Sequence, residues 1–176
     1  MSDPSPASTK LPEGVSLRHD LRPGDLGGLV RLHGLLYAQQ YGYNHTFEPY
    51  VAVPMAEFVL KGGARQRIWI VERKGEIAGC LAVVEASSDL AQLRWFLLAP
   101  QIRGRGLGRR LLTDALDFCR SAGYRRAFLL TIAVHAEAAA LYRSMGFEIT
   151  DEHPARLWGA DRVEQRYELD LKGHTT

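Results

Sequence analysis

The run Arg103-Gly104-Arg105-Gly106-Leu107-Gly108-Arg109 is the part of the chain whose residue types and spacing point most directly to chemistry. Its glycines permit positive φ and carry no side chain to hold an anion away from the backbone. Arg103, Arg105 and Arg109 surround them with mobile positive charge. If a helix opens here, its first N–H groups lack internal partners and sit at the positive end of the helix dipole. Together these features describe a phosphate cradle. The competing reading is a solvated basic loop that only starts a helix. Walker A spacing is absent, since no Lys-Ser or Lys-Thr follows. The dinucleotide fingerprint fails as well, because it would need glycine where Arg109 stands.

Two elements must hold that loop in place. Leu93, Trp95, Phe96, Leu97 and Leu98 form a β-favouring apolar run closed by Pro100. After the loop, Leu107, Leu111, Leu112, Ala115, Leu116, Cys119 and Ala122 recur at helical spacing. Arg110, Asp114, Asp117 and Arg120 take the opposite face, and Gly123 supplies a stop.

The remaining chain reads as follows. Residues 1–14, rich in Pro, Ser and Ala, are expected as a disordered tail, and 15–172 as a single domain. A strand spans Val15–Leu21. A helix then carries Leu26, Leu29, Val30, His33, Leu36 and Tyr37 and ends near Tyr41-Gly42. A second helix runs from Pro49 to Lys61, and between the two lies an aromatic segment from Tyr41 to Tyr50. Ile68–Glu72 and Ile77–Val84 make a hairpin about Arg73-Lys74-Gly75-Glu76. Arg126–Ile132 is a strand, His135–Met145 a helix, and Phe147–Asp151 and Val163–Leu171 the last strands. This order indicates an α/β fold with a sheet of mixed direction.

Composition narrows the function classes. A net charge of +2 gives no global argument for nucleic acid or membrane. Cys80 and Cys119 lie in apolar runs without CxxC spacing, as buried thiols in a reducing, cytoplasmic setting would. No apolar run reaches the roughly 20 residues that cross a bilayer, and no signal peptide is evident at Met1. The six histidines show no metal-ligand spacing, so no metal is expected.

Arg103-x-x-Gly106-x-Gly108, with Pro100 before it, resembles motif A of the GCN5-related N-acetyltransferases, R/Q-x-x-G-x-G/A. About thirty residues on, His135-x-x-Ala138-x-x-Leu141-Tyr142-x-x-x-Gly146-Phe147 resembles their motif B, N-x-x-A-x-x-L-Y-x-x-x-G-F. The two motifs, in the family's order, cover roughly residues 93–147. The resemblance implies acetyl-CoA as co-substrate, held by Leu98, Arg103, Gly104, Arg105, Gly106, Leu107, Gly108, Arg109, His135 and Ala138. It also implies a mostly antiparallel sheet of six to seven strands with helices on both faces, splayed between strands four and five to admit the thioester. Leu98 would bond the pantetheine arm through its backbone, and the N–H of Leu97 or Leu98 would stabilise an oxyanion. Tyr142 matches the tyrosine that protonates the leaving thiolate, and its competing reading is a core tyrosine.

His135 stands where the family has Asn. Gln92 stands where histone-type relatives place a glutamate base, so the base must come from elsewhere: Glu48 first, Glu85 next, or His33. The segment from His33 to Glu48 is similar to acetyltransferase domains joined to MarR-type regulators. No DNA-binding domain is expected here, as only a short tail precedes the first strand. His33, Tyr37, Tyr43 and Phe47 are assigned to the acceptor pocket; the alternative is that these aromatics fill space beneath the helices.

The reading favoured is an N-acetyltransferase acting by direct attack of a small-molecule amine, with no nucleic-acid or membrane partner and a homodimer left open. The alternative is a non-catalytic acetyl-CoA-binding module that senses the cofactor or docks a partner. A remoter reading takes the Arg103–Arg110 cluster as an RNA-binding patch.

Overall fold

The computed structural model describes residues 11–172. Most of the expected tail lies outside the described residues. Residues 11–14 are not tail: they turn against the first strand, where Pro12 and Gly14 carbonyls accept from Val15 and Lys74.

In chain order the elements are β1 (Val15–Arg18), α1 (Asp25–Tyr41), α2 (Phe47–Lys61), β2 (Arg67–Arg73), β3 (Glu76–Glu85) and β4 (Leu90–Leu98). A short 3-10 turn at Pro100–Ile102 leads to α3 (Leu107–Ser121), β5 (Arg126–Ile132), α4 (Ala136–Ser144), β6 (Glu148–Leu157) and β7 (Ala160–Asp170). The strands form one sheet ordered β1-β2-β3-β4-β5-β7-β6, antiparallel except where β4 meets β5.

Each face of the sheet buries its own core. On one face α3 sets Leu107, Leu111, Leu112, Ala115, Leu116 and Cys119 against Leu81, Val83, Leu93 and Leu129, with Tyr142 and Phe147 beside them. These α3 positions are those expected from the helical spacing. Leu111 and Leu112 are fully buried, so truncating either to alanine should cost about 2–5 kcal/mol. On the other face α1 and α2 cover Ile70, Cys80, Ala82 and Trp95 with Leu29, Phe47, Val51 and Met55.

Three boundaries differ from expectation. β1 stops at Arg18, whose guanidinium turns inward to Asp25 at 2.7 Å and Glu72 at 2.8 Å. α2 starts at Phe47, because Pro49 sits in the first helical turn, where no backbone donor is needed. β6 and β7 are longer than their patterns suggest and meet in a two-residue turn, Trp158-Gly159, both at positive φ. Hydropathy could not mark β6: it is an edge strand, exposed from Glu148 through Pro154, and holds its place by pairing with β7.

The joint between β4 and β5 prepares the site. Parallel pairing covers only Leu90–Gln92 against Arg126–Phe128; beyond it the strands part. β4 also bulges: Ala82 faces Arg94 and Cys80 faces Leu97, so Trp95 and Phe96 both oppose Leu81. Trp95 takes a φ of 54° there, and its carbonyl accepts the Cys80 thiol at 2.9 Å. A bulge bends its strand and sharpens the local twist. Here it turns the end of β4 away from β5 and opens the expected splay.

Candidate active site

The glycine loop closes the wide end of the splay. Gly104 and Gly106 have φ of 73° and 75°, a region that glycine enters without the penalty a Cβ brings. Gly106 caps α3 with no side-chain hydrogen bond, and no acid stands in the first turn. The opening N–H groups of α3 therefore keep their capacity for an anion. A Cβ at Gly104 would meet nothing within 4 Å, so the loop's mouth is open space. The loop thus sets uncapped backbone donors beside open space.

The arginines around the loop do different jobs. Arg103 folds into the splay and donates from Nε to the Leu98 carbonyl at 2.7 Å, and on to Gln40 at 3.2 Å. In an extended strand a residue's N–H and C=O point to the same side, so the Leu98 N–H also faces the splay. Arg109 ties α3 to α4 through Ser144 at 2.7 Å and Met145 Sδ at 3.1 Å. Arg110 stands 3.8 Å from Asp114. Arg105 is exposed beside the loop, while the Leu107 side chain belongs to the core, leaving only its backbone for a ligand.

From the loop a cavity of about 310 Å³ runs through the splay to the far face of the sheet. Arg103, Gly104, Gly108, Leu98 and Ala138 line the loop end, and Tyr142 lines its wall. Tyr142 packs among Phe96, Phe147 and Tyr167. Burial pushes its hydroxyl pKa well up, so the phenol holds its proton throughout the working pH range.

The far end is aromatic: Tyr37, Tyr41, Phe47, Tyr50, Trp95 and Trp158 surround it. His33, on α1, is 2% exposed and lines this end. Its Nδ1 lies 2.8 Å from the Leu29 carbonyl. A carbonyl only accepts, so Nδ1 carries the hydrogen and Nε2 presents a lone pair. Nε2 is buried with no hydrogen-bond partner among the described residues. Burial lowers the His33 pKa to about 4, so the ring is neutral at physiological pH.

The other residues singled out from the sequence fall in different places. Tyr37 and Phe47 line the chamber; Tyr43 does not, being one layer behind, where its hydroxyl meets His135 Nε2 at 2.8 Å. His135 reaches the cavity wall, yet both of its nitrogens are occupied, by Tyr43 and by Thr131 Oγ1 at 3.3 Å. Burial, with the Arg162 charge second, lowers its pKa to about 4. Its ring lies against Tyr37, Tyr41 and Tyr43.

The two acids favoured as bases are not at the cavity. Glu85 is held by Arg65 at 3.3 Å and Lys61 at 3.6 Å near the far end of β3. Glu48 is exposed and lies over Gly34, where a Cβ would collide with its carboxylate. Wall residues not singled out from the sequence include Tyr50, Arg94, Glu137, Trp158 and Glu164. Arg94 interrupts the apolar run of β4, and Glu164 is the polar partner of buried Gln165 and Tyr167 in an alternating strand. Both signals stood in the sequence.

Among the described residues no cluster of His, Cys, Asp and Glu could hold a metal ion, and no helix is long and apolar enough to cross a membrane. Both cysteines are buried and unpaired.

A mixed sheet splayed beside an uncapped, glycine-started helix, with a cavity through the splay, is the architecture that the resemblance implied. The chain belongs to the acetyltransferase (GNAT) family, whose model matches residues 33–147. The uncharacterized N-acetyltransferase YjgM of Escherichia coli is 37% identical over 86 residues, 47% of this chain. The match spans 52% of YjgM, so the chain covers about half the length of that relative. Among solved structures, yncA of Salmonella typhimurium with acetyl-CoA superposes at a TM-score of 0.72, with 17% identity over 93% of this chain and 97% of that one. Spermidine N-acetyltransferase of Vibrio cholerae, in complex with CoA and spermine, gives 0.68 with 19% identity over 90% and 96%.

Proposed function

We propose that this chain transfers the acetyl group of acetyl-CoA to the primary amine of a small molecule. The observation that carries the reading is the continuous cavity lined by Gly104 of the loop before α3, by Leu98 and Tyr142, and by His33, whose Nε2 has no hydrogen-bond partner among the described residues. Acetyl-CoA supplies an activated acyl group as a thioester. The chain's residues fit it: the α3 amides and Gly104 face a diphosphate, and Leu98, fixed through Arg103, turns its N–H into the splay. Tyr142 keeps a proton available for a departing thiolate. His33 Nε2 accepts the amine's N–H and takes its proton as the new N–C bond makes that proton more acidic, so a weak base is sufficient. The aromatic walls of the far end suit a compact acceptor.

Thiol release measured across a panel of primary amines tests the reading. Amine-dependent release on any of them supports it. Tight coenzyme A binding with no release on any amine favours the non-catalytic module, to which Gln92 on the cavity wall lends support.

A further inference from the structure

The chamber beyond the splay contains a cation that the reaction above does not use. Arg94 stands half-buried on β4, lining the cavity. Its guanidinium lies 5.2 Å from the Trp95 ring, and among the described residues it forms no ion pair. A guanidinium drawn out of water without a carboxylate is costly unless something supplies the missing charge. Its planar fork matches a carboxylate in two parallel hydrogen bonds. Tyr50 lines the same cavity, and its phenol can donate a hydrogen bond to an anion there; burial raises its pKa, with the Arg94 charge acting against that.

Across the chamber, Glu164 of β7 lines the same cavity and also feels Tyr50. Its carboxylate is 20% exposed and 3.6 Å from His153 Nε2. The cavity thus has a cation on β4 and an anion on β7, two strands on either side of β5, with Arg103 and Glu137 also on its wall. Between them the walls are rings: Tyr50 and Trp158 centroids lie 5.0 Å apart, and Phe47 and Trp158 4.8 Å.

We infer that the acceptor is an amino acid with an apolar side chain, its carboxylate held by Arg94 and Tyr50, its ammonium drawn in by Glu164 and releasing one proton to solvent before the free amine attacks, and its side chain set against Phe47 and Trp158. This deepens the proposed function and rests on it. A polyamine fits less well, since a second ammonium in the chamber would meet Arg94.

Matched acceptors test it: phenylalanine, phenylalaninamide and phenethylamine, with spermidine beside them, assayed by thiol release with the full chain and with Arg94→Met and Arg94→Lys. Wild-type protein should prefer phenylalanine over its amide by about tenfold or more in kcat/KM, mainly through KM. Arg94→Met should lose that preference while changing phenethylamine turnover by less than about twofold, and Arg94→Lys should restore part of it. A wild-type preference for the amide, phenethylamine or spermidine overturns the inference. So does an Arg94→Met loss equal on all acceptors, with an unchanged melting temperature. Should no amine release thiol, the proposed function fails and the inference is decided by binding. Quenching of tryptophan fluorescence by phenylalanine, present in wild type and lost in Arg94→Met, sustains it, and no quenching in either overturns it.

Discussion

The donor end and the acceptor end of the cavity are built on opposite principles. The proposed donor end centres on backbone from one short run, residues 103–109, where the direction of the amides follows from two positive-φ glycines and a helix start. The acceptor end is made of side chains from α1, α2, β4 and β7 and from the β6–β7 turn, brought together only by the sheet. A grip made of amides depends on chain conformation and changes little when side chains change. A chamber made of side chains can be refitted one residue at a time. The contrast suits an enzyme with a fixed donor and an acceptor particular to this chain.

Four substitutions and one titration would break or sharpen that contrast. Gly106→Val should have the largest effect, because a β-branched residue resists a φ of 75° and fills the anion's approach. Coenzyme A affinity by calorimetry should fall about a hundredfold, the size of a lost charge-assisted contact set; wild-type affinity would mean that the amides are not the grip. Tyr142→Phe should lower kcat about tenfold to a hundredfold with coenzyme A affinity unchanged, and an unaltered kcat removes the phenol from the proton's path.

His33→Asn can keep a donor for the Leu29 carbonyl while deleting the Nε2 lone pair. A fall in kcat of about tenfold, again with donor binding intact, is expected; full activity would move the base to Glu164. The buried imidazoles also predict an acid weakness. His33 and His135 are neutral in the fold, with pKa values near 4, and titrate near 6.5 when unfolded. Below 6.5 the unfolded chain binds more protons, so stability is complete above that pH and declines toward pH 4. Urea midpoints should register a loss on the order of 2 kcal/mol per imidazole by pH 5, reduced by half in His33→Asn. A flat profile would show that neither ring is buried as described. The smallest effect is expected from Glu85→Gln. Its carboxylate serves Arg65 and Lys61, so turnover should change by less than about twofold, as for an exposed ion pair.

The same division explains what could be read in advance. The α3 helix, its buried face and the loop before it were legible because each rests on neighbours within a few residues. Tyr142 and Ala138 came from the resemblance to motif B, and both line the cavity. The base was not legible. An acid's reach depends on which cation finds it first, and nothing local says that Lys61 and Arg65 close on Glu85 or that Glu48 lies across Gly34. Tyr43 was misplaced by one layer for the same reason: the string of aromatics shows that rings gather, but not which of them faces inward. Arg94 and Glu164 were findable. A charged residue inside an apolar strand has to meet something, and alternation assigned each to the α1–α2 face.

The outermost strand, β6, bears on how crowded molecules of this protein treat one another. A sheet that ends in open backbone donors and acceptors invites a neighbour to add a strand and so to polymerise. Here the rim holds Pro154, which has no N–H to offer, among Glu148, Asp151, Glu152 and Arg156, charges that a docking strand would have to strip of water. The terminal strand thus works as a bumper against strand addition at this border.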